Sequence, residues 1–507
     1  MNYNKAVRVA GFMTVITILS KILGLLREMV LAYIYGSSYV LTAFLAASKI
    51  PLTLFDITIG GVITSAFIPI FSELTQDKDK ANRFASEYLN LILIITITLT
   101  LLGVTFAVPL INFTLSGDNI AEETLVLATN LSRIMFGMII FTGIAYTFVG
   151  ILNCYGQFYI TSILSLVSNG IIILYLMVNS NIYGLSIVMV ISWAFQVIVQ
   201  LPFIYKYGFR YKKASRLITP EIHSTINLAI PILISSWAYP LSSLINMKMA
   251  SYLHDGKAVV AMELANRLYV VISGIFAYVI SNLSYPYLSK IANDNNDMIK
   301  LIRILIKSIT FIIMPIMIGL IVLGHPIVSL AYERGNFTKN DSMMTANALI
   351  GMGFGMLSFS YNEIQNKIFY SIKNAKVPMY SGMFGIIVSI VLSIILPRYL
   401  DIFGLGLAVA IGTTTTSIIN FYNLYKKFPR VLTSAEYLEI FKCFIATMIM
   451  GYAVSLIINV LEANILLAVI GSTIIGAIIY LVVCIVFRVN ILMEFLIYLK
   501  KGRLNGK

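Results

Sequence analysis

Long apolar runs recur along this chain so densely that little room is left for anything else. A bilayer-spanning helix needs roughly 20 mostly apolar residues. Fourteen such stretches can be read, centred near residues 22, 57, 100, 138, 168, 195, 238, 275, 313, 355, 388, 415, 448 and 475. The 507 residues are 59% hydrophobic and only 11% charged, whereas soluble domains are about 25% charged. The longest polar gap, Tyr205 to Asn227, is too short to enclose a core of its own. The expectation is an all-α polytopic membrane protein of about 14 transmembrane helices, with no soluble catalytic module.

The net charge of +14 invites a nucleic-acid reading, but its distribution excludes one. Basic residues fall in alternate loops: Lys78, Lys80 and Arg83; Lys206, Arg210, Lys212, Lys213 and Arg216; Lys290, Lys300 and Arg303; Lys373 and Lys376; Lys426, Lys427 and Arg430. Lys5 and Arg8 precede the first span, and Lys500, Lys501 and Arg503 end the chain. The loops between these are neutral or acidic, as at Asp118, Glu122 and Glu123. Positive loops stay on the cytoplasmic side. The alternation therefore predicts an even number of spans, with both termini cytoplasmic. The first span runs too long for a signal peptide and lacks a small-residue cleavage site.

Between Val9 and Leu74 five charges interrupt otherwise apolar sequence: Lys21, Arg27, Glu28, Lys49 and Asp56. Each costs at least about 2.5–3.5 kcal/mol at the membrane centre, so such a cluster points to a wet, polar path. Three of the five are cations, and the predicted cargo is an anion. Glu263 and Arg267 add a second charged pair, four residues apart on one helix face. Competing readings are an Arg27 pair with Glu28 or Asp56, a Lys49 side chain reaching to an interface, and a simple helical Glu263–Arg267 pair. Cys154, Cys443 and Cys484 are isolated in or beside apolar spans and read as packing residues. The scattered His223, His254 and His325 predict no metal site. No phosphate-binding loop motif occurs. The expectation is therefore no cofactor, with the membrane potential or an ion gradient as energy source.

A weak internal duplication organises the chain. Asn181-Ile-Tyr-Gly-Leu-Ser opens the sixth span, and Asp401-Ile-Phe-Gly-Leu-Gly opens the twelfth, 220 positions later. Phe67-Ile-Pro-Ile-Phe-Ser-Glu and Ser284-Tyr-Pro-Tyr-Leu-Ser-Lys close the second and eighth. The division that follows is a six-helix lobe over 1–216, a second over 217–430, and two additional helices with a basic tail over 431–507. Parallel repeats of this kind are a transporter architecture with the site between the halves. Gly24, Gly36, Pro51, Gly60, Gly61 and Pro69 interrupt the first two spans, and Pro231 and Pro240 the seventh. The spacing Gly351-x-x-x-Gly355 reads as a close helix crossing.

Several of these segments resemble one family. Ser20-Lys-Ile-Leu-Gly-Leu-Leu-Arg-Glu28 is similar to the first-helix signature of the MurJ/MviN lipid II flippases, members of the multidrug/oligosaccharidyl-lipid/polysaccharide exporter superfamily. Ala46-Ala-Ser-Lys-Ile-Pro51 and Ser65-Ala-Phe-Ile-Pro-Ile-Phe71 resemble its second helix. Gly150-Ile-Leu-Asn-Cys-Tyr-Gly156 resembles the end of its fourth, and Ala265-Asn-Arg-Leu-Tyr269 with Tyr285-Pro-Tyr-Leu-Ser289 its eighth. Glu333-Arg-Gly-Asn-Phe-Thr338 resembles the loop before its tenth. The motifs occur in order over nearly the whole chain.

The resemblance implies two six-helix lobes around a central cavity, and a lateral groove for a lipid tail beside the last two helices. It implies flipping of a polyprenyl-pyrophosphate-linked glycan, foremost lipid II, from the inner to the outer leaflet by alternating access. The headgroup-binding positions map onto Lys21, Arg27, Lys49 and Arg267, with Glu28, Asp56 and Glu263 as cavity charges. The implied partners are that lipid, the bilayer and cell-wall synthesis proteins. The chain departs from the pattern at Thr42, where the family usually has Asp, and at Phe55 and Asp56, where it has two arginines. Gly60-Gly61 replaces its Glu-Gly step, and the seventh helix carries no carboxylate. These departures leave a flippase for another lipid-linked polysaccharide repeat as the alternative. A cation-coupled multidrug exporter fits less well, because the acids are outnumbered.

Overall fold

In the computed structural model every described element is helical. The structure describes residues 3–56, 60, 63–213, 218–236, 238–291, 294–429, 431–460 and 464–493. They form two compact units, Met1–Val260 with Gly335–Phe337, and Ala261–Arg334 with Thr338–Lys507.

The first unit opens with α1 (Tyr3–Tyr35) and α2 (Tyr39–Ile50), continued by π-helical turns Pro51–Asp56 and Ile63–Phe67. Then follow α3 (Ile68–Leu74), α4 (Lys78–Thr105), α5 (Ala107–Thr114), α6 (Glu122–Met135) and α7 (Met138–Cys154). The unit closes with α8 (Phe158–Val178), α9 (Ile182–Lys206), α10 (Pro220–Ser236) and α11 (Ala238–Ser251). The long α12 (Lys257–Lys290) lends its first turn here and the rest to the second unit. The second unit contains α13 (Asn295–Val322), α14 (Gly324–Tyr332), α15 (Lys339–Gly353), α16 (Met356–Ser371), α17 (Lys376–Ile395), α18 (Pro397–Lys427), α19 (Ser434–Val460) and α20 (Ile465–Val486).

Among the described residues, nine helices or helix pairs are long and apolar enough to cross a membrane. They become ten if α15 and α16, bent by 47°, count as one span. These ten match ten of the fourteen expected centres. The other four, near 22, 57, 238 and 275, fall on α1, α2 and its π-helical continuation, α10–α11, and α12. Those are the helices that carry the candidate charges or the interrupting prolines. The most enclosed span is α6–α7, with 61% of its apolar window buried, against 22% for α4 and for α8.

Lipid is as apolar as leucine, so these helices associate through packing and polar contacts rather than by escaping water. In the first unit an aromatic knot joins the π-helical turn Ile63–Phe67 to α3 and α4: Phe67 stacks on Phe71 at 5.2 Å and on Phe84 at 5.5 Å, with Tyr88 at 4.6 Å. In the second, Met314, Cys443, Met450, Tyr480 and Cys484 bind α19 and α20 to α13. The Tyr480 hydroxyl donates to the Phe311 carbonyl at 2.9 Å. Cys443 and Cys484 thus pack as the sequence predicted, and among the described residues no group of His, Cys, Asp or Glu could hold a metal.

The positions paired by the 220-residue offset do matching work. Asn181 caps α9, its Oδ1 accepting from Tyr183 N at 2.9 Å and Gly184 N at 3.1 Å. Its counterpart Asp401 sits at a non-helical break in α18, with φ 51°. Gln200 and Asn420 are both fully buried. Gln200 donates across to the Ala145 carbonyl of α7 at 3.3 Å. Asn420 donates to Asn362 of α16 at 3.4 Å and accepts from Ser381 of α17 at 2.6 Å. Each unit therefore carries a polar brace from the helix opened by the repeated motif. The Gly351-x-x-x-Gly355 reading holds as packing. A methyl on Gly351 would lie 2.5 Å from the Phe403 carbonyl oxygen, and one on Gly355 would lie 2.7 Å from Ala410 Cα. From the other side, a methyl on Gly406 would lie 2.4 Å from the Ala348 carbonyl oxygen.

Three outcomes follow. Gly406→Leu forces backbones apart where no side chain can yield, and should cost about 1–3 kcal/mol or more, read as a lowered melting temperature in detergent. Asn420→Leu strands the Asn362 side-chain carbonyl and leaves the Ser381 hydroxyl only the carbonyls of its own helix, at about 1–3 kcal/mol in the same assay. At the aqueous start of α4, Asp77 accepts from Asp79 N at 3.0 Å and Lys80 N at 3.2 Å. The Lys80 amide, followed by that of Asp79, holds this carboxyl below its ordinary value. The cap is therefore complete above the ordinary carboxylate range and is lost as pH falls through the lowered pKa. Hydrogen exchange at Asp79 and Lys80 should accelerate only in that acid window, and at every pH in Asp77→Ala.

Candidate functional site

The first-unit site is built on α1. No proline interrupts the run from Tyr3 to Tyr35, so the helix continues to Gly36, whose φ of +59° only glycine adopts freely. The chain turns there, and Ser38 caps α2 by accepting from Leu41 N at 3.4 Å. Residues 335–337 fold with this unit: Asn336 donates through its backbone N to Tyr33 O at 3.0 Å, and through its side chain to Ile34 O. The last carbonyls of α1 are thereby satisfied from far along the chain.

Arg27 and Glu28 form a contact of 2.5 Å between Nη2 and Oε1. Their side chains are 18% and 8% exposed. Neighbouring helix positions do not normally face each other, so the guanidinium folds over to meet its own neighbour. The contact neutralises a carboxylate that would otherwise stand almost unhydrated. It uses one edge of Arg27, while Nε is buried with no hydrogen-bond partner. The pair with Glu28, one of the partners weighed for Arg27 in the sequence, is present.

Lys21 and Lys49 are half-buried and are not free of partners. Lys49 occupies the last turn of α2, where a cation meets the negative end of the helix dipole. The side chain of Asp56 lies outside the described residues, as does that of Phe55. Thr42, where an acid was the usual pattern, is buried and donates to the Gly256 carbonyl at 3.4 Å. Two further cations of the first unit stand elsewhere: Lys248 lies 5.0 Å over the Phe113 ring, and Arg133 is exposed. In the second unit, Glu263 and Arg267 stand on α12, each half-buried and each with partners.

Sequence reasoning passed over two polar groups beside α1. The hydroxyl of Ser20 is buried without a hydrogen-bond partner. Asn169, on α8 packed along α1, is 7% exposed, and its Nδ2 would lie 3.9 Å from a Cβ placed on Gly24. The Ser20, Gly24, Arg27 spacing was a legible signal of one shared face. Asn169 gave none, since only packing brings it there.

Comparison with known proteins fits this geometry. The profile of the family described as Lipid II flippase MurJ matches residues 31–477. The probable lipid II flippase MurJ of Buchnera aphidicola subsp. Baizongia pistaciae is 29% identical over 476 residues, covering 89% of this chain and 90% of its own. The lipid II flippase MurJ of Thermosipho africanus is 28% identical over 423 residues, covering 82% and 85%. A solved structure of lipid II flippase MurJ in an inward closed conformation superposes with a TM-score of 0.81 at 25% identity, over 94% of this chain and 98% of the other. An inward-facing multidrug resistance MATE family transporter shares the fold, with a TM-score of 0.67 at 14% identity over 81% and 95%. With the family profile spanning most of its length and the fold shared almost end to end, the chain belongs to the lipid II flippase MurJ family.

Proposed function

We propose that this protein is a flippase that moves a polyprenyl-pyrophosphate-linked glycan, foremost the peptidoglycan precursor lipid II, from the inner to the outer leaflet by alternating access. The observation that carries the reading is the family match over residues 31–477. A pyrophosphate is a dense anion that guanidinium groups bind through charge-assisted, often paired hydrogen bonds. Lys21, Arg27, Lys49 and Arg267 are the proposed headgroup contacts. Glu28, Asp56 and Glu263 are the acids that hold or tune them. The protein works in the bacterial cytoplasmic membrane with both termini inside, as the basic loops suggest, and it translocates rather than transforms its lipid.

Driving force is available without a nucleotide. The membrane potential contributes about 2.3 kcal/mol per charge per 100 mV. An inside-negative cell therefore favours outward movement of an anionic headgroup. A second reading, another lipid-linked glycan as cargo, draws on the absence of the usual acid at Thr42 and of the arginine pair at Phe55 and Asp56.

Arg27→Ala and Arg267→Ala should each abolish flipping in lipid II-loaded proteoliposomes while eluting as native protein, with Arg27→Ala melting lower because Glu28 loses its partner. Full activity in both would reject the headgroup assignment. Rescue of cells depleted of their own lipid II flippase separates the two cargo readings: growth indicates lipid II, and failure with a correctly inserted protein indicates another glycan.

A further inference from the structure

Lys307 is a cation that the transport reading does not use. It lies about three turns inside α13, is half-buried, and makes no hydrogen bond or ion pair among the described residues. A charge within a membrane helix is costly, and one that is kept there marks a candidate site. Its neighbours on the helix are already spent. One turn earlier, Arg303 donates through Nε to the Val431 carbonyl at 3.0 Å and lies 3.9 Å from Glu436. One turn later, the Thr310 hydroxyl meets the Ile306 carbonyl at 2.7 Å and the Tyr361 hydroxyl at 2.5 Å. Positions 303, 307 and 310 share one helix face, and of the three only Lys307 has its donors unused.

Lys307 lines a cleft of about 200 Å³, counting its open mouth, in the second unit. The other walls are α19 and the residues that follow α20. Glu439 lines it too, but this carboxylate is committed elsewhere: Lys442 Nζ donates to it at 2.8 Å and Asn490 N at 2.7 Å. Ile440, Val489 and Ile491 make the rest of the wall apolar. The nearby charges are Arg303, Lys307 and Lys442 against Glu436 and Glu439, so one positive charge is left over. An apolar wall with a single surplus cation suits an amphiphile whose head carries one negative charge.

We propose that this cleft binds the phosphodiester of a membrane phospholipid, with Lys307 as its counter-ion. A phosphodiester carries the single charge that the surplus calls for, and a lysine ammonium binds it through charge-assisted hydrogen bonds. The acyl chains remain in the surrounding bilayer. The basic loops assign this end of α13 to the cytoplasmic side, where the leaflet surface is negative. A lipid held here ties α19 and the end of α20 to α13, as the hydrogen bond from Tyr480 to the Phe311 carbonyl does within the same helix group. The site is independent of the cargo that the protein moves.

The test uses the purified full chain, stripped of lipid in detergent, with dioleoyl phosphatidylglycerol or the phosphate-free dioleoylglycerol added back. Native protein should bind phosphatidylglycerol and melt at a higher temperature with it, and should not respond to dioleoylglycerol. Lys307→Met should melt at or above native in the lipid-free state, because it removes an uncompensated, half-buried charge. It should bind phosphatidylglycerol about tenfold more weakly and lose the thermal shift. Lys307→Arg should keep both. Lys300→Met changes an exposed charge on the same helix and should respond as native does. The proposal is overturned if phosphatidylglycerol stabilises Lys307→Met as much as native. An equal shift of native protein by dioleoylglycerol, or an equal loss in Lys300→Met, overturns it as well.

Discussion

A guanidinium cannot stand in a hydrocarbon layer unaccompanied, and the Arg27–Glu28 contact is what lets α1 carry charge there at all. Separately, each of the two ions would make the helix costly to bury. Together they form a nearly neutral unit that still presents hydrogen-bond donors on one side. A buried pair of this kind is weak evidence for stability, because desolvation offsets much of the attraction. It leaves the Nε edge of Arg27 buried and without a hydrogen-bond partner.

Within each unit the helices associate without help from the hydrophobic effect, which gives helices in lipid no reason to pack together. Two devices substitute for it. Glycines at 351, 355 and 406 bring backbones to distances that any side chain would forbid. Buried amides, Gln200 in one unit and Asn420 in the other, tie neighbouring helices where an unmade hydrogen bond would find no water. The glycine crossings fix the packing of the second unit, and an amide brace stiffens each unit from within.

Most of the architecture was legible before any coordinates. Ten of the fourteen apolar centres became long membrane-competent helices, and the glycine spacing at 351 and 355 predicted the crossing it makes. Candidate cations were found because a charge amid apolar residues is conspicuous. Ser20 and Asn169 were not, because a hydroxyl or an amide in a membrane helix is common and most often bonds its own backbone.

The sequence by itself determined the class of solvent, the helical secondary structure, the duplicated plan and the charge types available to a cargo. All of these follow from local composition and period, which need no partner to be expressed. Tertiary structure decided which donors are already spent and which are left over. That Arg27 gives one edge to Glu28 and keeps another, and that Asn169 faces Gly24 across two helices, depends on how side chains far apart in sequence divide one small volume. No one-dimensional pattern records that division.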